Sequence, residues 1–172
     1  MRSPQFLLTG AVLFAGACAP PLRYIPPKDP IARNAEPVAA PFERTWDAVI
    51  DLFAREVIPI ETLDRASGFV AASSSVIRTV LPADSTLARA LADCGRLRGS
   101  NMARDLVYPP ESARYNVLVR SAGPTSSTVR VTAAFFGGYW AAPYHFTRLE
   151  CSSTGDFESR FEKAVKEAAE RR

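Results

Sequence analysis

Apolar positions recur along this chain with two periods, and each change of period marks an element. Trp46, Val49, Ile50 and Phe53 fall at i, i+3, i+4 and i+7, opposite Asp47, Asp51 and Arg55. That spacing predicts an amphipathic helix over 42–57 with Thr45 as its N-cap. Pro59 ends it, because the residue before a proline is pushed out of the αR region. Residues 58–63 then read as a strand, 64–68 as a turn with Gly68 free to take positive φ, and 69–77 as the returning strand of a hairpin.

A second hairpin is written in alternation. Tyr115, Val117 and Val119 alternate with Asn116, Leu118 and Arg120, and after Gly123-Pro124-Thr125-Ser126 the odd positions Val129, Val131, Ala133 and Phe135 are apolar. Period-2 patterning on both sides of a Gly/Pro turn predicts paired strands. Gly137-Gly138 is expected to break the second strand, and 147–151 to form a last one. A final helix follows, capped by Ser153 or Thr154. Phe157, Phe161, Ala164, Val165 and Ala168 lie on its apolar face, and Glu162–Lys166 forms an i,i+4 pair. Asp156 and Glu158 suit the positive end of that helix. The acid pairs Asp47/Asp51 and Glu158/Glu162 are placed on solvent faces.

The segment 78–112 has no clear period. Asp84 offers a cap for a short helix with Leu87, Ala88 and Leu91 on one side and Gly95 beyond it. A short strand at 38–42 is expected before the first helix. The predicted fold class is therefore α+β: an antiparallel sheet of about four to five strands with two helices packed on one face.

The beginning of the chain has another character. Arg2 precedes an apolar run from Phe6 to Phe14, then Ala15-Gly16-Ala17 and Cys18. About a dozen apolar residues are too few to span a bilayer, so the run reads as a secretory signal. Ala15 to Cys18 resembles the lipobox of bacterial lipoproteins. The resemblance implies removal of residues 1–17, a lipid on Cys18, and, with Ala19 next, the periplasmic face of the outer membrane. An ordinary signal cut after Ala17 is the alternative. Seven prolines between Ala19 and Pro41 make 18–37 an extended tether and 38–172 a single domain.

Composition narrows the function classes. Losing residues 1–17 removes Arg2, so 21 basic side chains become 20 against 18 acids, a balance of +2. The basic residues are scattered along the chain, which argues against nucleic acid as a partner. With Cys18 lipidated, Cys94 and Cys151 remain, and an oxidising compartment favours a Cys94–Cys151 disulfide over two buried thiols.

The order of elements resembles a helix-grip domain. The stretch 42–50 followed by 60–70 resembles the helix-plus-hairpin opening of domains in the BamC-like outer-membrane lipoproteins, about thirty residues with no catalytic signature. Nothing else supplies one. His145 is the only histidine, no Gly-x-Ser-x-Gly elbow is present, and one His with two bridged cysteines cannot build a zinc site. No cofactor, no metal and no enzyme activity are expected. The one candidate for contact is the aromatic stretch 137–146, with Tyr139, Trp140, Tyr144, His145 and Phe146. It reads either as an exposed loop that touches a partner or as a cover over the open end of the sheet. The expected function is a lipid-anchored, non-enzymatic interaction module with an envelope protein partner. The alternative is a carrier of an apolar ligand held between helix and sheet.

Overall fold

The computed structural model describes residues 23–30, 32–74, 90–98, 107–141 and 145–171. Its elements, in chain order, are β1 (Arg23–Ile25), β2 (Glu36–Val38), α1 (Phe42–Arg55), β3 (Ile60–Asp64) and β4 (Phe69–Ser74). Then come β5 (Ala92–Asp93), β6 (Arg96–Arg98), β7 (Tyr108–Gly123), β8 (Ser126–Ala141), β9 (His145–Ser153) and α2 (Asp156–Arg171). The fold is α+β, and the described strand pairs are antiparallel.

The sheet is larger than the four to five strands expected. Seven strands join it: six in the order β3-β4-β7-β8-β9-β5, with β2 added to β8, while β1 and β6 form a separate ribbon. The two extra strands are β2 and β5, which carry too few residues to show a period. β7 and β8 are longer than expected rather than additional. The start of β7 lies in the segment that looked irregular. The strand β8 does not break at Gly137-Gly138; it runs through both glycines and pairs Gly137 with Leu149 and Gly138 with Arg148 on β9. Gly138 is required there by close packing, since a Cβ would lie 2.4 Å from both the Phe146 ring and the Thr147 carbonyl oxygen.

One face of the sheet is buried beneath the two helices. Its odd-numbered residues, Tyr115, Val117 and Val119 on β7 and Val129, Val131 and Phe135 on β8, are buried. Against them α1 sets Trp46, Val49, Leu52 and Phe53, and α2 sets Phe161 and Val165. Rings fill the layer between: Phe53 meets Phe161 at 4.8 Å, and Tyr115 stacks on Phe157 at 4.4 Å. Burial pushes the Tyr115 hydroxyl pKa up to about 12, with the nearby Glu158 charge adding to the shift.

Thr45 does not cap α1. Pro41 holds the cap position without a side-chain bond, and Thr45 is fully buried one turn inside the helix. Its hydroxyl meets that of Ser127 at 2.7 Å, and Ser127 donates to the Ala40 carbonyl at 2.9 Å. A polar pair thus ties α1 to the start of β8. The helix leaves through Val57, whose φ of 55° is left-handed. The β3–β4 hairpin matches its pattern, with Gly68 at φ +66° and its carbonyl accepting from Val119 N–H at 2.8 Å. The helix placed after Asp84 lies outside the described residues up to position 89; Ala90 and Leu91 are helical, and β5 follows at once, so Gly95 does not close the helix.

The largest departure concerns the acids of α2. Glu158 and Glu162 are not on a solvent face; they are 4% and 2% exposed. One edge of β8 is taken by β7. Its other edge pairs with β2 over Ser127–Val129 and with β9 from Phe135 onward. The interval between is closed by the helix: Val131 N–H donates to Glu162 at 2.9 Å and Ala133 N–H to Glu158 at 3.3 Å. Two carboxylates accept what a neighbouring strand's carbonyls would have accepted.

The remaining carboxylate oxygens are also bonded. Ser153 donates to Glu158 at 2.9 Å, and Arg33 forms an ion pair with Glu162 at 2.7 Å. Arg33 also donates to Ser159 and to the Gly155 carbonyl. Further along, Lys166 pairs with Glu36 rather than Glu162, at 2.7 Å, and Ala39 N–H donates to Glu170 at 2.8 Å. Residues 33–39 therefore lie as a strap along α2. Together with β1, they put much of the Pro-rich stretch 18–37 in contact with the domain.

Candidate functional site

The helix-free face of the sheet carries the even-numbered residues. Strand alternation brings together on it side chains that are scattered in the sequence: Arg114 and Arg120 from β7, Arg130 from β8, and Arg148 from β9, all exposed. Thr132 and Asn116 lie between them. The acids on this side are Glu150, opposite Phe136 in the register, Asp64, which the register sets level with Arg130 and which accepts from Ser67, and Glu61, which accepts a hydrogen bond from Ser73.

At the far end of β8 and β9 this face turns aromatic. Phe136 lies between two guanidinium groups, with Arg148 at 4.6 Å and Arg114 at 5.5 Å from the ring centre. Such stacking leaves the charge open to a second partner while the ring orients it. Arg148 also donates to Ser112 at 3.2 Å. Beyond Gly138, Trp140 packs against Phe146 at 5.2 Å and remains 57% exposed. An exposed indole on a rigid strand is an unusual use of apolar area.

The five aromatic-stretch candidates separate. Trp140 and Phe146 face outward together. Tyr139 points to the opposite side, where it stacks on Tyr24 of β1 at 6.0 Å. His145 is exposed at the start of β9. Tyr144 lies outside the described residues. The stretch is therefore not a loop around these four residues but the end of a two-stranded hairpin. Neither expectation for it was complete, because one side is covered and the other is open.

The covered side is held by the ribbon of β1 and β6. Tyr24 donates to the Cys94 carbonyl at 3.0 Å, and burial raises its pKa, with Asp93 adding to the shift. Cys94 and Cys151 are joined as a disulfide, with Cα atoms 4.1 Å apart, which fastens the ribbon to β9. The ribbon's outer side is basic. Arg23 lies directly opposite Arg98, Arg96 follows two residues before, and all three are exposed.

Arg23, Arg96, Arg98 and the Arg114–Phe136–Arg148 stack escaped sequence reasoning, because no local pattern joins them. The signal was the alternation itself, once the register of β7, β8 and β9 was known. Among the described residues no group of three or more His, Cys, Asp or Glu side chains is arranged to hold a metal. Among the described residues no helix is long and apolar enough to cross a membrane. The chain matches no family model and no curated protein.

Proposed function

We propose that this chain is an envelope lipoprotein, exported by residues 1–17 and anchored through Cys18. Its domain acts as a non-enzymatic docking module for a protein partner with an acidic surface. The observation that carries this reading is the helix-free sheet face with Arg114, Arg120, Arg130 and Arg148 exposed on it. Guanidinium groups gathered on one sheet face suit carboxylates, which they meet bidentately. The layer that an apolar cargo would need is filled by Phe53, Tyr115, Phe157 and Phe161, which favours docking over carriage. The antiparallel sheet with helices over one face also supports kinship with helix-grip domains of the BamC-like kind, with a broader sheet.

The test is site-specific photo-crosslinking in membranes from cells making the lipidated protein. A crosslinker at Thr132 or Asn116 is expected to trap a defined protein, and one at Lys163 on the outer side of α2 is not. Equal yields from both sides, or none from the sheet, overturn the reading.

A further inference from the structure

The ribbon and the aromatic hairpin end lie together. Tyr24 stacks on Tyr139, and Tyr139 is the chain neighbour of Trp140. The first described residue, Arg23, is thus held at the far end of the sheet. Cys18 lies only five residues before it. Five residues reach at most about 17 Å when fully extended. A lipid on Cys18 therefore cannot leave the domain hanging on a long tether. It brings this one end of the sheet to the bilayer surface.

That end has the composition of a membrane contact. On one flank Arg23, Arg96 and Arg98 are exposed, and Arg23 faces Arg98 directly across the ribbon. Like charges opposite one another on paired strands repel, and an anion between them relieves the repulsion. On the other flank are Trp140, Phe146, Phe136, Arg114 and Arg148. Trp prefers the headgroup level, and guanidinium groups prefer lipid phosphates. The nearby acids are Asp93, whose carboxylate accepts from Gly95 N–H, Glu150, and Glu111, exposed beside Ser112 on β7.

We propose that the β8–β9 end of the domain docks end-on against the anionic lipid surface to which Cys18 is tied. Trp140 and Phe146 lie at headgroup depth, and the ribbon arginines and Arg148 meet lipid phosphates. This rests on the lipid-anchored reading above and deepens it. The contact orients the domain and leaves Arg120 and Arg130 free for a partner protein.

The two tryptophans make the test direct, because Trp46 is 3% exposed and Trp140 57%. The full lipidated protein is reconstituted into vesicles of phosphatidylcholine with phosphatidylglycerol, carrying a nitroxide at headgroup depth. Strong quenching of tryptophan emission is expected, and Trp140→Phe should abolish it while leaving the Trp46 signal. In a second arm, the processed chain without its lipid, residues 18–172 with Cys18→Ala, is titrated with the same vesicles. It should bind them more tightly than pure phosphatidylcholine, and Arg148→Glu or Arg98→Glu should each weaken binding about thirtyfold. Absence of quenching in the lipidated protein, or binding indifferent to phosphatidylglycerol, overturns the proposal. The mass of the N-terminal peptide reports the anchor separately, and a Thr132 crosslink to a protein would keep the docking module standing without the membrane contact.

Discussion

The two halves of β8 are held by different means. The first half, up to Ala133, lies beneath both helices, and its outer edge is closed by β2 and by the carboxylates of Glu158 and Glu162. The second half begins with Phe135 still packed against Phe157 of α2 and runs on to Ala141. It is held by β9, by the Cys94–Cys151 bridge and by the stacked Tyr24 and Tyr139 rings. Apolar burial stabilises the first half and local fastenings the second. A strand that extends beyond its core can keep aromatic side chains exposed on a rigid support, and Trp140 is such a case.

The strongest way to break the first half is Glu162→Ala. It leaves Val131 N–H without its acceptor and Arg33 without its ion-pair partner. Arg33 is 31% exposed and keeps Ser159 and the Gly155 carbonyl, so the main loss is the buried acceptor of Val131, about 2–4 kcal/mol, which urea unfolding should register as a lower midpoint with little change in slope. A variant within about 0.5 kcal/mol of the parent would show that water replaces the carboxylate at no cost.

The second half should respond to the disulfide instead. Cys94 and Cys151 are 57 residues apart, and closing such a loop stabilises by up to about 4 kcal/mol in the chain-entropy account. Replacing both by Ala should lower stability by no more than that. Hydrogen exchange should quicken most in β6 and β9 and least in β7 and the first half of β8. Uniform acceleration across the sheet would remove the distinction between the halves.

A pH titration sharpens the comparison further. The Tyr115 pKa rises from 10.0 to about 12 on folding, so the native state prefers the neutral phenol. Below pH 10 both states hold the proton and the full stability is present. Between pH 10 and 12 the unfolded chain ionises first, and stability falls by up to about 3 kcal/mol. Tyr115→Phe should remove that part of the alkaline loss, measured as the difference in unfolding free energy between pH 9 and 11.

The smallest effect is a gain. Val57 holds a left-handed φ of 55° at the end of α1, a conformation costly for a β-branched residue. Val57→Gly should stabilise the fold by about 1 kcal/mol, read as a higher thermal midpoint.

What the sequence made legible follows from how local each signal is. The stripe Trp46, Val49, Ile50 and Phe53 and the alternation on β7 and β8 involve neighbours a few positions apart, so one-sided burial is visible without knowing what covers it. Glu158 and Glu162 misled for the same reason. A carboxylate in the first turns of a helix normally faces water, and only the unpaired N–H groups of a strand 25 to 31 residues away explain their burial. Gly137-Gly138 looked like a break because the tight approach of Phe146 to Gly138 is a cross-strand fact. The arginines of the open face and of the ribbon come from β1, β6, β7, β8 and β9, and no window along the chain contains them all.

The strap over 33–39 also imposes an order in time. Arg33, Glu36 and Ala39 find their partners on α2 or at the Gly155 carbonyl just before it, more than a hundred residues later. A chain emerging from its N-terminus offers Arg33 and Ala39 none of these partners, and Glu36 only its place beside β8, until the last helix has been made. Once α2 docks, the first-made residues are secured by the last-made ones. A chain cut short before Asp156 would lose its front as well as its end.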